Sequence, residues 1–217
     1  AAAHERFPST TWDLTVKVSH ILDHEAIWRE VASQGVRFVV SAFETTNDRV
    51  LGLLDKGHSA AGMRRAVSIM QTAGIDLRPS WLPFTPWTEP GDVASILRFL
   101  HSHGLLDTVD PVQLSIRLLV PRGSLLAERP EMGPYQESTL SHTWSASIEV
   151  EAQQAELAAI AEWGAGRPAL MTLRRMWASV FGEPMPEVVD RGRPHLTEPW
   201  FCCAEPTSDQ LLTIASR

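Results

Sequence analysis

Two adjacent thiols, Cys202 and Cys203, are the residues of this sequence with the clearest capacity for chemistry. Neighbouring thiols can deliver electrons, form a vicinal disulfide, or chelate a soft metal or metalloid as thiolates. The alternative is a pair of cysteines that only pack, because free cysteine behaves as a small apolar residue in protein interiors. We predict a functional pair, with Glu205 orienting the thiols and Trp200 and Phe201 seating them.

A second set of reactive side chains lies in or at the ends of predicted strands: Lys17, Ser41, Glu44 and Arg117. Ligands of α/β barrels bind at the carboxyl ends of the strands, so these four residues are candidates for a ligand-binding rim. The alternatives are structural. Glu44 would be an acid favoured by the dipole at the start of a helix, and Lys17 and Arg117 would be surface residues. Ser41 and Glu44 are an odd number of residues apart, so they serve one ligand only if the chain turns after Phe43.

Histidines and aromatic residues near the same predicted strand ends favour simpler interpretations. His20 and His24 are four residues apart, which suits a metal on one helix face, but a third ligand is not evident and we predict surface positions. Trp81, Phe84 and Trp87 could stack on an adenine ring. Packing in the core is the favoured role for these aromatic side chains.

The elements that must position these residues alternate between strand and helix. Each strand–helix–strand step takes about 25–40 residues, which is typical of βαβ units and a parallel sheet. Right-handed crossovers then favour a barrel or an open wound sheet. The predicted strands are residues 11–18, 36–43, 76–84 and 112–120; the predicted helices are 20–34, 48–54, 59–73, 89–103, 148–163 and 169–181; residues 133–147 and 182–199 are predicted to be irregular.

The composition is that of a globular α/β protein. The chain has 217 residues, of which 44% are hydrophobic and 21% charged, enough for one α/β domain with a buried core, or for a domain plus a tail. A net charge of −7 without a basic patch gives no support to a nucleic-acid partner. Neither a membrane-length apolar run nor a secretory signal pattern is visible, and two adjacent cysteines do not make a disulfide framework. We therefore predict a cytoplasmic protein.

Four segments resemble the barrel and tail of radical S-adenosylmethionine (SAM) enzymes. VVSAFETTNDRVLGLLDKG, residues 39–57, resembles the fourth barrel strand and the helix after it, and residues 11–20 would then form the third strand. GIDLRPSWLPFTPWTEPGD (74–92) and LLVPRGSLL (118–126) resemble the fifth strand with its turn and the exit of the sixth. EPWFCCAEP, residues 198–206, resembles the signature of the CUAEP/CCAEP-tail radical SAM proteins, some of which carry selenocysteine at the position of Cys203.

The resemblance implies a fold and a role for each candidate residue. The fold class is α/β: residues 1–127 would form a partial (β/α) barrel of the radical SAM type, about strands 3 to 6, and residues 128–217 a mainly helical and irregular extension ending in the CCAEP tail. Glu44 would contact the SAM ribose, and Lys17 the SAM carboxylate or a substrate anion. Ser41 and Arg117 would complete the cofactor-binding set, and the two cysteines would act in catalysis.

The activity implied by the resemblance is that of a longer protein. The full-length enzyme would cleave SAM to a 5′-deoxyadenosyl radical and modify a small-molecule substrate, with a reductant protein as partner. Its [4Fe–4S] cluster would be held outside this chain, because the C-x3-C-x2-C motif of the family is missing here. The chain starts without Met, as if inside a helix, which predicts a C-terminal fragment that is inactive alone. Two alternatives stay open: a cluster-less binding protein derived from the barrel, and a thiol-based metal- or metalloid-binding protein.

Overall fold

Three parallel strands in chain order form the main sheet of the protein. The computed structural model describes residues 2–189 and 191. Parallel pairing of the first three predicted strands is confirmed, although the third ends at Trp81 and not at residue 84. Register places Ser41 between Val16 on one side and Pro79 on the other. The strands are β1 (Trp12–Val16), β2 (Val36–Glu44) and β3 (Asp76–Trp81), in the order β1-β2-β3.

Helices connect these strands and continue after them. Because parallel strands in sequential order are joined by right-handed crossovers, successive helices are expected on the same face of the sheet. The helices at residues 18–23 and 28–33 both pack on the helix at residues 60–73, and all three pack against the sheet. The α-helices of the described residues are α1 (Ala2–Arg6), α2 (Val18–Asp23), α3 (Trp28–Ser33), α4 (Asp48–Leu53), α5 (Ala60–Ala73), α6 (Asp92–Ser102), α7 (Ile148–Gly164) and α8 (Ala169–Phe181).

The helix predicted at residues 20–34 is interrupted. A 3₁₀ turn at Glu25–Ile27 separates α2 from α3, and His24 leaves the helical region with φ −119° and ψ 32°. This break frees the Ile21 carbonyl, which accepts a hydrogen bond from the Trp28 indole at 3.0 Å. In a continuous helix, this carbonyl would accept a backbone amide of the next turn. At the break the indole N–H takes the place of that amide, as a carbonyl at a buried helix end needs another donor.

The helix α5 shows how the sequence places the crossovers. The Ser59 hydroxyl accepts the Gly62 amide at 3.2 Å and so caps the first turn. Gly74 ends the helix with φ 72°, a left-handed conformation that glycine adopts without strain. The side chains of Met63, Val67 and Met70 recur at helical spacing and are buried in the common core. The predicted helix at residues 59–73 is therefore confirmed.

The two faces of the sheet differ in burial. Along β2, the side chains of Val39, Ser41 and Phe43 are fully buried, whereas Val40 and Ala42 between them are partly exposed. Side chains alternate across a strand, so the odd-numbered residues face the helices and the even-numbered ones face the more open side. Ligands that approach the sheet from this more open side would meet the even-numbered face.

The fourth predicted strand, residues 112–120, is mostly wrong. Pro111–Ser115 is a 3₁₀ helix, and the Asp110 carboxylate accepts the Val112 amide at 3.2 Å. Proline has no amide hydrogen and fits the first turn of a helix, so the apolar residues after it continue as a helix and not as a strand. What is left of the strand is a parallel bridge between Phe84 and Arg117. Barrel closure and the boundary at residue 127 stay predictions.

The region after this bridge packs on the 3₁₀ helix Pro111–Ser115 and on α6. Both helices predicted there are confirmed as α7 and α8, which pack against each other, and α8 also packs on α6. The predicted loop at residues 133–147 contains a short antiparallel pair, β4 (Tyr135–Gln136) and β5 (Ser141–His142). The described helices are each too short or too polar to cross a membrane.

Candidate functional site

Three of the predicted site residues lie at the carboxyl edge of the parallel strands. Lys17 follows β1 directly, Glu44 is the last residue of β2, and Arg117 pairs with Phe84 beyond the end of β3. The carboxyl ends of parallel strands meet at one edge of a sheet, so these side chains occupy the same side of the fold. That edge is where α/β proteins bind their ligands.

Glu44 occupies a strained turn at the end of β2. Its φ is 65°, and the Thr45 amide donates a hydrogen bond to the Phe43 carbonyl at 2.8 Å. An i to i+2 hydrogen bond around a residue with positive φ is the rarer, strained form of the γ-turn. The Leu82 amide donates to the Glu44 carbonyl at 2.8 Å and fixes the turn to the next strand. Strain of this kind is concentrated at functional sites.

This turn meets the condition that the sequence set for a shared ligand. The pairing of β2 with β3 shifts between Ala42 and Glu44, so the chain departs from straight strand geometry after Phe43. The shift lets the Glu44 side chain leave the face that strict alternation assigns to it. The position of Glu44 as a ligand contact itself stays a prediction.

Lys56 is the partner of Glu44, and sequence reasoning missed it. Its ammonium nitrogen lies 2.5 Å from Glu44 Oε1, and the exposed fractions of the two side chains are 27% and 9%. Lys56 belongs to the short loop between α4 and α5, which folds back on the end of β2. Both partners belong to the VVSAFETTNDRVLGLLDKG segment, Glu44 as its sixth residue and Lys56 as its penultimate one, and that Lys was the available signal.

Ser41 lies away from this edge. Its side chain is fully buried on the helix-facing side of β2, and its hydroxyl has no hydrogen-bond partner among the described residues. The alternation of the strand therefore separates Ser41 from a ligand on the open face. Its proposed contact with the cofactor stays a prediction that no distance here supports.

Lys17 is exposed and well placed for an anion. It is the residue before α2 and makes no capping hydrogen bond with its side chain. Along β1, Asp13 and Thr15 are exposed while Leu14 and Val16 are half-buried, and Lys17 continues the exposed series. The strand predicted to run to residue 18 ends before Lys17, so this lysine lies at the strand exit and not within the strand.

Arg117 is engaged with the C-terminal helices. Its Nη1 lies 2.5 Å from Glu151 Oε2 of α7, and its guanidinium carbon lies 4.0 Å from the ring centre of Trp144. Burial raises the pKa of Glu151, but a hydrogen bond from the Ala146 amide together with the Arg117 guanidinium outweighs it, and the pKa is below its ordinary value. A ligand contact by Arg117 would therefore share the guanidinium with Glu151.

The remaining candidates are aromatic residues, histidines and the two cysteines. Trp81, Phe84 and Trp87 are buried, which agrees with packing in the core. His20 lies in α2 and His24 just after it, and both are exposed as expected. Within residues 2–189 and 191, no three His, Cys, Asp or Glu side chains are grouped closely enough to hold a metal ion. Cys202 and Cys203, with the tail around them, lie outside the described residues.

Comparison with known proteins gives a weak structural similarity. Neither a protein-family model nor a curated protein matches the chain. Solved structures of the cobalamin-dependent S-adenosylmethionine radical enzyme OxsB, with aqua-cobalamin bound and with aqua-cobalamin and S-adenosylmethionine bound, are each 16% identical to it with a TM-score of 0.39. The similarity covers 46% of this chain and 15% of the OxsB chain, so the chain spans a small part of that protein. A similarity of this extent indicates no function.

Proposed function

We propose that this chain is the C-terminal part of a radical SAM enzyme, and that its carboxyl strand edge binds and orients SAM. The observation that carries the proposal is the Glu44 carboxylate, held at the end of β2 in a strained turn and paired with Lys56. The segment that supplies both residues is one of those that resemble the family. The proposal includes the family membership, the partial barrel and the cytoplasmic location predicted from the sequence.

Glu44 retains the capacity to accept hydrogen bonds from a ribose. The ion pair with Lys56 uses Oε1, whereas a carboxylate offers two oxygens and about four lone-pair positions. A hydrogen bond from a sugar hydroxyl to the ionised carboxylate is charge-assisted, and such bonds are stronger than hydrogen bonds between two neutral groups. The low exposure of Glu44 strengthens such a bond, because water competes poorly at a buried site.

Lys17 would complete the recognition of SAM from the neighbouring strand. SAM is an amino acid as well as a nucleoside, and its carboxylate needs a cation. The exposed Lys17 ammonium at the exit of β1 is one strand away from Glu44. Arg117 lies further along the same edge, where it would contact an acidic group of a small-molecule substrate.

The residues of this chain do not fit an iron–sulfur cluster. The sequence has two cysteines, and they are adjacent, whereas the family holds its cluster with three separated thiolates. The cluster would be bound elsewhere in the full-length protein, where it would supply the electron that cleaves SAM. A separate reductant protein would reduce the cluster. The contribution of this chain is to bind SAM, orient its ribose and exclude water from the reacting centre.

Replacing Glu44 by Gln in the full-length protein is expected to raise the KM for SAM roughly tenfold, since a charge-assisted hydrogen bond contributes on the order of 1.4 kcal/mol. The measurement is 5′-deoxyadenosine release from SAM under anaerobic reducing conditions. The matched control is Glu89→Gln, which alters an exposed carboxylate paired with Arg49 and should leave the KM unchanged. Absence of 5′-deoxyadenosine from the unaltered full-length protein would contradict the proposed function.

The tail extends this proposal to Cys202 and Cys203. The last described residue, Arg191, lies beside Gly104, which follows α6 at the amino-terminal end of the sheet. Cys203 comes twelve positions after Arg191, and an extended chain of that length spans about 40 Å. The six residues of β3 span only about 20 Å, so the thiols can reach the strand exits. We therefore propose that the thiols act at the strand exits, where they would bind substrate or pass a hydrogen atom to a radical intermediate.

Replacing Cys203 by Ser in the full-length protein separates the role of the tail from that of the SAM site. Product formation is expected to fall while SAM cleavage continues, because serine is a far poorer hydrogen-atom donor and metal ligand than cysteine. Product and 5′-deoxyadenosine are measured in the same reaction by mass spectrometry. Unchanged product formation would remove the thiol from the mechanism and leave the SAM site unaffected.

A further inference from the structure

His58 bridges the backbone on both sides of the Glu44–Lys56 ion pair. Its Nδ1 lies 3.2 Å from the Lys56 carbonyl oxygen, and its Nε2 lies 3.4 Å from the Phe43 carbonyl oxygen. Phe43 precedes Glu44 in the strained turn, and Lys56 is the residue that pairs with the Glu44 carboxylate. One half-buried imidazole therefore joins the two segments that hold this pair.

Hydrogen bonds from both ring nitrogens of His58 to these carbonyls would take two protons on the ring. A carbonyl oxygen only accepts hydrogen bonds, and a neutral imidazole has one N–H donor and one acceptor nitrogen. With a single proton, one ring nitrogen would present its lone pair to the lone pairs of a carbonyl. Only the imidazolium donates to both the Phe43 and the Lys56 carbonyl, so the bridge between them depends on the protonation of His58.

The charged groups around His58 come from three elements. Glu44 ends β2, and Lys56 in the adjoining loop balances its charge at 2.5 Å. Asp55 precedes Lys56 with a φ of 51°, a further left-handed residue in this loop. Asp48 of α4 accepts the Ala60 amide at 2.6 Å with its Oδ1, just after His58 in the chain. Within the described part of the chain, the ring bonds to the two carbonyls and to none of these acids.

We propose that His58 is the positioning residue of Glu44: as the imidazolium it joins the Phe43 and Lys56 carbonyls and holds the carboxylate in the geometry that receives the SAM ribose. Loss of one proton breaks one of the two bonds. The hydrogen bond from the Thr45 amide to the Phe43 carbonyl remains in the strained turn. The loop that carries Lys56 is then no longer tied to this turn through His58. The ribose contact rests on the proposed function, whereas the coupling between His58 and Glu44 is a property of this chain alone.

The coupling is tested by NMR on the 217-residue chain without a ligand. Histidine changes charge between about pH 5 and 8, so the two His58 ring nitrogens, the Thr45 amide and the Glu44 side-chain carbon are followed over that range. We expect all of them to shift with one midpoint, and both ring nitrogens to carry protons on its acidic side. A His58 ring that stays singly protonated throughout, or a Thr45 amide that does not follow it, would overturn the proposal.

Two variants separate the proton from the shape of the side chain. His58→Gln supplies an amide N–H₂ that donates near the Nε2 position at every pH, so the shift of Thr45 with pH should disappear while the turn is kept. His58→Phe fills the space without a donor, and in the full-length protein it should raise the KM for SAM roughly tenfold at pH 6. His24→Gln, an exposed change in the same chain, is the control and should keep the pH dependence.

The two proposals fail in different ways. Coupled titration of His58 and Thr45 in a protein that never cleaves SAM would support the His58 bridge and contradict the proposed function. Cleavage of SAM with a KM that does not change between about pH 5 and 8, in a chain whose Thr45 amide does not follow His58, would retain the function and reject the bridge. In the full-length enzyme, His58→Gln should remove the pH dependence of the KM for SAM. A histidine with a purely structural role would not make this KM depend on pH.

Discussion

Replacing Phe43 by alanine is expected to lower the free energy of unfolding by about 3–5 kcal/mol, the usual range for removing a fully buried aromatic side chain. The Phe43 ring is completely buried and meets Trp81 and Phe99 edge to face, with ring centres 5.7 and 6.0 Å away. Loss of the ring would remove both contacts and leave a cavity under the end of β2. Urea denaturation of the 217-residue chain, followed by tryptophan fluorescence, measures the effect.

Two controls distinguish burial from the loss of any aromatic residue. Phe7→Ala removes the same atoms from a side chain that is 52% exposed, and its effect should stay within about 0.5 kcal/mol. Phe43→Leu keeps most of the volume and should fall between the two. Because Phe43 precedes Glu44 and its carbonyl accepts the Thr45 amide, the alanine variant should also loosen the strained turn. Equal effects at Phe43 and Phe7 would show that the aromatic cluster does not support this edge.

Local patterns predicted the helices better than the fourth strand. The ends of α5 and α8 follow from nearby residues, such as Ser59 at the start of one and Gly182 with φ 70° after the other. The residues after Pro111 have the apolar and β-branched character of a strand, yet they begin a 3₁₀ helix. Local composition does not reveal which group accepts the hydrogen bonds of the backbone amides at the edge of β3.

That group is a side chain distant in sequence. The Trp81 amide, at the edge of β3, donates to the Gln113 side-chain oxygen at 3.0 Å. A glutamine side chain thus replaces the backbone carbonyl that a fourth strand would have supplied. The ladder resumes at Phe84, whose amide donates to the Ile116 carbonyl at 3.3 Å and whose carbonyl accepts the Leu118 amide at 2.9 Å. A contact across 32 residues depends on tertiary packing, which propensity and periodicity do not contain.

The candidate site was predictable in position and not in its contacts. Strand ends identified Lys17 and Glu44, because the carboxyl edge of a parallel sheet follows from the alternation of elements alone. The partners of Glu44 depend on a loop that folds back, with Lys56 twelve residues later in the chain. Ser41 illustrates the opposite case: a polar residue near a strand exit, whose side chain the alternation of β2 buries beneath the helices.

The Glu44–Lys56 pair should respond unequally to the loss of either partner. Lys56→Met leaves a carboxylate that is 9% exposed without its cation, and we expect a loss of about 2 kcal/mol of unfolding free energy, less than the 3–5 kcal/mol of a fully buried pair. Glu44→Gln leaves an ammonium whose side chain is 27% exposed and can turn to water, so its cost should be below about 1 kcal/mol.

The double variant, Glu44→Gln with Lys56→Met, separates the pair from its surroundings. It removes both charges, so it should recover at least about 1 kcal/mol relative to the sum of the single changes, as urea denaturation of the four proteins would measure. Arg49→Met, which breaks an exposed pair with Glu89, is the control and should change stability by less than about 1 kcal/mol. The expectation is wrong if Lys56→Met changes the free energy of unfolding no more than Arg49→Met does. Water, and not Lys56, would then compensate the charge of the Glu44 carboxylate, and this loop would give the strained turn no electrostatic support.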